Sequence, residues 1–174
     1  MGEGSLSDPT LTLRPWATGD AEAIVECVDG DPEIARWLDQ VPQPYSLEDA
    51  KAYIGEPGER AFAIVENATG RVVGSIGCRL LDDGVSEIGY WLRADARGRG
   101  VATRALELLS RWALEQEGIE RVQLRADVEN VASRRVAEKA GFRPEGVLRS
   151  AHWNPRLGRR TDWAMYSLLP GDLA

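Results

Sequence analysis

The sequence has few of the side chains from which metal sites and many nucleophilic sites are built: its 174 residues include two cysteines and one histidine. Cys27 and Cys78 lie in apolar segments with no second cysteine or histidine beside them, so we predict buried thiols and no metal site. A catalytic triad of the serine type would have to use His152. Its segment, SAHWNPRLGRR, predicts a loop, and we do not expect that role.

Long apolar runs are also absent. No segment approaches the roughly 20 apolar residues that cross a bilayer, and the N-terminal segment MGEGSLSDPT lacks the basic and apolar regions of a signal peptide. We therefore predict a cytoplasmic protein that does not bind membranes. The formal net charge of -7 disfavours nucleic acid as a partner, because phosphate binding needs a basic surface. The same acidity suits cationic acceptors.

The length fits one domain that can bury a core without disulfide or metal support. We place that domain at residues 10–170, after a flexible N-terminus at 1–9. Apolar and turn residues predict a first strand at LTLRPW, then helices in TGDAEAIVECVDG and PYSLEDAKAYIGEPG with an ordered aromatic loop, RWLDQVPQPY, between them. That loop either walls a pocket or packs on the core.

Three antiparallel strands follow, from RAFAIVEN to EIGYWLR, with turns at Thr69-Gly70 and Asp83-Gly84. Glycines inside these strands weaken a plain sheet, so at least one of them marks a bulge or a close backbone approach. The three glycines are Gly74, Gly77 and Gly89.

The rest of the chain predicts a helix over 101–117, a strand at RVQLRAD, a short helix between Asn130 and Gly141, and two final strands at FRPEGVLRS and RRTDWAMYSLL. The order is β-α-α-β-β-β-α-β-α-β-β, with a right-handed parallel crossover at its centre. It predicts an α/β fold with a mixed, mostly antiparallel central sheet of about seven strands and helices on both faces.

A glycine- and arginine-rich turn, RGRGVAT, joins the fourth strand to the long helix. Free N–H groups and the positive end of a helix dipole suit a phosphate oxygen there. Gly98 and Gly100 let the backbone approach an anion, and Arg97 and Arg99 can neutralise it. An ordinary turn with solvated arginines would have the same sequence.

Two other phosphate-binding motifs do not match this turn. A Walker-type loop requires Gly-Lys followed by Ser or Thr, and the turn has no lysine. A dinucleotide fingerprint requires a third glycine where Thr103 stands, although Asp127 could be its acidic partner. The antiparallel strands before the turn also argue against the dinucleotide fold.

Arg97, Gly100 and Ala102 resemble the acyl-CoA signature of the Gcn5-related N-acetyltransferase (GNAT) superfamily: Arg or Gln, two residues, Gly, one residue, then Gly or Ala. EIGYWLRADARGRGVATRAL, NVASRRVAEKAGF and GRRTDWAMYSLL resemble its branch of ribosomal-protein N-terminal acetyltransferases, the Rim type. The resemblance extends from about Leu11 to Leu169 in the element order of the family.

The resemblance implies that the fourth and fifth strands, which end near Leu92 and Asp127, splay apart. The pantetheine arm of acetyl-CoA would lie between them. Gly89, Tyr90 and Trp91 would lie at the bulge of the family. The N–H near Leu92 would polarise the thioester carbonyl. The implied phosphate site consists of Arg97, Gly98, Arg99, Gly100, Val101, Ala102 and Thr103.

The resemblance also implies roles in proton transfer. The amine must lose a proton before it attacks, and Glu87 stands where many relatives place a carboxylate that acts through water; it could instead bind the ammonium or be an exposed strand residue. Ser133 would protonate the CoA thiolate, and Asn130 would contact the pantetheine region. As alternatives, Asn130 is a helix N-cap and Ser133 only solvates the helix start.

Acceptor specificity in the family comes from two variable segments, which here contribute Trp37, Tyr45, His152 and Trp153. Aromatic walls near Asp39 could hold a cationic amine, or these rings could serve packing or a dimer contact. The implied function is acetyl transfer from acetyl-CoA to a primary amine, a protein N-terminus or a small molecule, by direct attack in a ternary complex. Succinyl-CoA as donor, a non-catalytic CoA-binding module, and a monomer or a homodimer all stay open.

Overall fold

A computed structural model describes residues 4–55 and 60–173 of the chain. Within these ranges, one eight-stranded sheet has the order β1-β2-β3-β4-β5-β6-β8-β7. Its neighbours pair antiparallel except β5 and β6, which are parallel. The strands are β1 (Leu6–Ser7), β2 (Leu11–Pro15), β3 (Arg60–Glu66), β4 (Arg71–Leu80), β5 (Val85–Leu92), β6 (Arg121–Asp127), β7 (Arg143–Asn154) and β8 (Arg159–Leu168).

The helices cover both faces of this sheet, as predicted. They are α1 (Ala21–Val28), α2 (Pro32–Trp37), α3 (Leu47–Gly55), α4 (Val101–Leu114) and α5 (Val131–Lys139). Ile88 and Leu92 of β5 belong to the core that contains α4 and α5, whereas Trp91 packs on the core of α1, α2 and α3. Because neighbouring residues of a strand point to opposite faces, Glu87 and Gly89 share the face of Trp91.

The predicted loop RWLDQVPQPY is wrong in its first part, because α2 ends inside it at Trp37. The cap that starts this helix lies upstream, at Asp31, whose carboxylate accepts hydrogen bonds from the N–H groups of Glu33 and Ile34 at 2.9 and 3.1 Å. Pro32 occupies the first helical position, where proline costs no hydrogen bond. The described residues before β3 therefore contain three α-helices, where the sequence predicted two.

The N-terminal boundary of the domain also lies earlier than predicted. Leu6 and Ser7, which we had assigned to a flexible N-terminus, pair with Leu13 and Thr12 of β2. Asp8 stabilises the intervening turn, because its carboxylate accepts from the N–H of Leu11 at 2.7 Å. This short edge strand accounts for eight strands where the sequence predicted about seven.

The C-terminal hairpin differs as well, since β7 continues through His152 and Trp153, where a loop was predicted. The register shifts between Leu148 and His152, and Ser150 takes a left-handed φ of 55°. This irregularity interrupts the alternation of apolar and polar residues from which a strand is recognised. The turn begins only after Asn154.

Of the three strand glycines, Gly74 marks the close approach. A Cβ at this position would lie 2.4 Å from the carbonyl oxygen of Trp91 and 2.6 Å from a methyl group of Leu92. The bulge expected at Gly89, Tyr90 and Trp91 is absent from the β4–β5 pairing, which runs in continuous register. A register shift occurs instead between Ile64 and Val65 of β3.

Two other local predictions are confirmed, the glycine turns and the buried thiols. Gly70 and Gly84 take left-handed φ angles of 68° and 73° at the two predicted turns. Cys27 and Cys78 are buried and reduced. Over the described part of the chain, the helices are all too short or too polar to span a bilayer.

Candidate functional site

A cleft opens where β5 and β6 separate. The two strands pair only from Val85 to Glu87 and from Arg121 to Gln123, so the predicted splay is present. Beyond this point lies a cavity of about 730 Å³ that residues of both strands, of the start of α4 and of α5 line. A cavity of this size is in the usual range for ligand sites.

The backbone of β5 directs N–H groups into this cleft. Arg93 donates its N–H to the carbonyl of Val73 on β4 at 3.0 Å. Because backbone groups alternate in direction along an antiparallel strand, the N–H groups of Leu92 and Tyr90 point the other way, toward β6. The Leu92 carbonyl accepts from Arg97 at 2.7 and 3.1 Å. Its N–H is thus directed into the cleft.

The turn before α4 presents a second set of N–H groups. Gly98 and Gly100 take left-handed φ angles of 72° and 76°, which glycine adopts without strain. The N–H groups in the first turn of a helix have no partners within the helix. In α4 no side chain caps them either. The cavity wall includes Gly98, Gly100, Val101, Ala102 and Thr103.

The two arginines of this turn bind carboxylates of the protein. Arg97 lines the cavity, yet its guanidinium is 2.6 Å from the carboxylate of Asp31, the N-cap of α2. Arg99 is not among the residues that line the cavity, and it lies 2.6 Å from Glu66. Each guanidinium is thus paired with a carboxylate of the protein, Arg97 at the cavity wall and Arg99 at the surface.

A pair of hydroxyl groups lies on the α5 side of the cleft. Tyr90 donates to the Oγ of Ser133 at 3.0 Å. Asn130 caps α5 and accepts from the N–H of Ser133 at 3.1 Å, and all three residues line the cavity. Burial raises the pKa of Tyr90, and its hydrogen bond to Ser133 offsets part of this rise. Tyr90 is therefore a protonated donor at neutral pH.

Glu87 lies on the opposite face of the sheet, among positive charges. Its Oε1 is 2.5 Å from Arg125 and 3.0 Å from Arg79, and its Oε2 accepts from Gln123 at 2.9 Å. Burial alone would raise the pKa of Glu87, but the hydrogen bonds from Arg125 and Gln123 and the two positive charges hold it below its usual value. The carboxylate is an anchored anion and a weak base.

The expected acceptor residues divide into two groups. Trp37 and His152 line the cavity, and His152 Nε2 is 2.9 Å from Asp39 Oδ2. Tyr45 and Trp153 are not brought to the cavity. Tyr45 is buried as part of the core that contains α1, α2 and α3. Trp153 is 52% exposed on the edge strand β7.

Arg125 and Trp163 are among the residues of the cavity wall that the sequence did not mark as functional. The guanidinium of Arg125 lies 4.6 Å from the centre of the Trp163 ring, which in turn stacks on His152 at 4.8 Å. A signal was present for Arg125, since Gln123 and Arg125 alternate with buried residues of β6 and so share one face. No local signal marks Trp163.

The cleft with its two sets of N–H groups is the site of an enzyme that binds a thioester and its phosphate-bearing carrier. The sequence model of the protein family described as acetyltransferase (GNAT) domain matches residues 10–143. The chain belongs to this family, whose acetyl donor is acetyl-CoA. The N–H groups of the splayed strand and of the α4 turn fit that donor.

Relatives and solved structures agree with this assignment. The chain is similar to the uncharacterized N-acetyltransferase p20 of Bacillus licheniformis, with 28% identity over 173 residues, 94% of this chain and 95% of the relative. It is 34% identical over 68 residues to a ribosomal-protein-serine acetyltransferase of Escherichia coli, covering 39% and 38% of the two chains. In fold it resembles a GNAT acetyltransferase from Bacillus anthracis, with a TM-score of 0.85, 21% identity and 95% and 98% coverage.

Proposed function

We propose that the protein transfers the acetyl group of acetyl-CoA directly to a primary amine in a ternary complex. The observation that carries this proposal is the N–H of Leu92, which points into the gap between β5 and β6 beside the N–H groups of the α4 turn. The turn would hold the pyrophosphate, and the gap would hold the pantetheine arm. Leu92 would then donate to the thioester carbonyl as negative charge develops on its oxygen.

Ser133 is proposed to stabilise the departing thiolate. Its Oγ accepts from Tyr90, so the hydroxyl hydrogen of Ser133 is left to point at another acceptor. A chain of two hydroxyl groups strengthens the second donor. The thiolate sulfur is the acceptor that the reaction generates on this side of the cleft.

Glu87 is proposed to stay ionised and to hold the acceptor side in place. A carboxylate has about four acceptor positions, and Arg79, Gln123 and Arg125 occupy three of those of Glu87. One position remains for an ammonium or a water. This arrangement favours the ammonium-binding alternative over the role of base.

Direct attack is favoured because neither thiol stands in the cleft. Cys27 belongs to the α1–α3 core and Cys78 to the core on the other side of the sheet. Burial raises the pKa of Cys27, which lowers its reactivity. Two cysteines in the reduced thiol form also fit a reducing compartment such as the cytoplasm.

The acceptor is proposed to be a protein N-terminus or a small-molecule amine. The name of the Escherichia coli relative, a ribosomal-protein-serine acetyltransferase, makes peptides with an N-terminal serine the first acceptors to test. Thiol release and mass spectrometry of the products would be measured with acetyl-CoA across such peptides, lysine side-chain peptides and alkylamines.

We expect thiol release that depends on the acceptor and a product heavier by one acetyl group. Succinyl-CoA in the same panel tests the alternative donor. Tight binding of acetyl-CoA without thiol release on any acceptor would contradict an enzymatic function and favour a CoA-binding module.

A further inference from the structure

The one histidine of the chain is held by a carboxylate inside the cavity. His152 Nε2 lies 2.9 Å from Asp39 Oδ2, although the two residues are 113 positions apart in the sequence. The imidazole stacks on the Trp163 ring at 4.8 Å with an angle of 22°. The Asp39 side chain is 9% exposed and that of His152 is 32% exposed. The ring is therefore fixed in orientation and still reachable from the cavity.

This pairing leaves one ring nitrogen free to accept a proton. A neutral imidazole has one N–H and one lone pair. If Nε2–H donates to Asp39, the lone pair is on Nδ1, and the carboxylate stabilises the positive charge that forms on protonation. An oriented imidazole next to a buried carboxylate is the usual construction of a general base.

Both residues lie on the acceptor side of the sheet. Glu87 of β5 pairs with Gln123 of β6, and His152 of β7 pairs with Thr161 of β8. The strands β5 and β7 thus lie on either side of β6 and β8, which carry the Arg125–Trp163 contact. The segment that carries Asp39 is fixed from the other side.

Leu38 and Val41 pack against the α1–α3 core together with Trp91, the neighbour of Leu92. Arg156 of the β7–β8 turn donates to the carbonyl oxygen of Val41. Asp39 is thus held on the wall of the cavity that the end of β5 also lines.

We propose that His152 is the base that takes the proton from the ammonium of the acceptor and that Asp39 is its positioning residue; this inference rests on the proposed acetyl transfer. Amine ammonium groups have pKa values of about 8 to 10.4, so the reaction needs a proton acceptor, and the Glu87 carboxylate, whose pKa is lowered by Arg125 and Gln123, is a weak one.

The protons and bonds balance as follows. The ammonium gives one proton to Nδ1 of His152, and the nitrogen lone pair forms the C–N bond to the acetyl carbon. The C–S bond breaks, and its electron pair stays on sulfur. The second amine proton goes to that sulfur to give the thiol, and His152 returns its proton to solvent.

Several charged groups share the cavity with the imidazole. Asp39 contacts it directly, and Arg125 and its partner Glu87 lie beyond the Trp163 ring. The other charged residues of the cavity wall include Glu33, Arg36, Arg79, Asp127, Arg135 and Lys139.

The test compares two amines whose need for a base differs. A peptide or alkylamine acceptor is protonated at neutral pH, whereas trifluoroethylamine is already deprotonated. For His152→Gln we expect kcat/KM to fall about 100-fold with the first and less than about threefold with the second, because a neutral amine does not have to lose a proton before it attacks. Asp39→Asn should show the same pattern with a smaller loss, and Asp82→Asn, an exposed charge outside the cavity, is its matched control.

Two further readouts separate a base from a structural role. Imidazole added to His152→Ala should restore thiol release with the protonated amine, and acetyl-CoA affinity should be unchanged in all variants. An equal loss with both amines, absence of imidazole rescue, or full activity of His152→Gln would overturn the inference while the wild-type protein still transfers acetyl groups. Absence of transfer by the wild-type protein would overturn the proposed function and this inference together.

Discussion

The two sides of the cleft are built in different ways. The donor side comes mostly from one continuous segment, the end of β5 and the turn into α4, and uses backbone N–H groups and the hydroxyl groups of Tyr90 and Ser133. The acceptor side is assembled from distant segments and uses charged and aromatic side chains, with Asp39, Glu87 and His152 on three different elements. The side that we propose for the cofactor is built from residues close in sequence, and the side that we propose for the acceptor from residues far apart in sequence.

The largest effect is expected on the donor side, from Ser133→Ala. Removing the hydroxyl that we propose as the hydrogen-bond donor to the leaving sulfur should lower kcat about 100-fold, with little change in the KM for acetyl-CoA. Steady-state thiol release would measure this loss. Ser133→Thr, which keeps the hydroxyl, should retain more of the rate, and unchanged turnover and pH dependence in the alanine variant would contradict the role of Ser133.

A second experiment breaks the ion pair between Arg97 of the α4 turn and Asp31, the N-cap of α2. Arg97→Ala leaves the carboxylate of Asp31, whose side chain is 7% exposed, without its ion pair and frees the Leu92 carbonyl. We expect a loss of about 2 kcal/mol in the free energy of unfolding and weaker acetyl-CoA binding, measured by urea unfolding and by titration.

Arg99→Ala is the matched control for this experiment. It removes an exposed pair with Glu66 and should cost no more than about 0.5 kcal/mol. Equal losses in the two variants would show that Arg97 has no special part in the cleft.

The smallest effect concerns the charges of the acceptor side and the dependence of stability on pH. The pKa of Glu87 is lowered in the folded protein, so its pairs stabilise the fold above its ordinary pKa, and this contribution is lost as the pH falls through the folded pKa. Glu87→Gln should therefore be less stable than the wild type at pH 7 by about 1 kcal/mol, and the difference should shrink in acid.

Urea unfolding of both proteins from neutral to acidic pH would measure this difference. Glu48→Gln, which removes only an exposed pair with Lys51, serves as the control. A difference between the wild type and Glu87→Gln that is the same at every pH would contradict the ionised state of Glu87.

The contrast between the two sides also explains what the sequence could predict. The α4 turn was predictable because left-handed glycines and an uncapped helix start are local features, and Asn130 was recognisable as the cap of α5 for the same reason. The role of Arg97 was not, because its partner Asp31 lies 66 positions away. The place of His152 was hidden by the irregular register of β7, which breaks the alternation on which strand prediction depends.

The crowding at Gly74 has a consequence for the chemistry. This position carries no atoms that react, yet any side chain there would push against the carbonyl of Trp91 and rotate that peptide unit, whose N–H is that of Leu92. The direction of the N–H that we propose as the donor to the thioester thus depends on the absence of a side chain at position 74 of the neighbouring strand. Size at position 74 would act as a control on turnover from outside the cleft, without contact to either substrate.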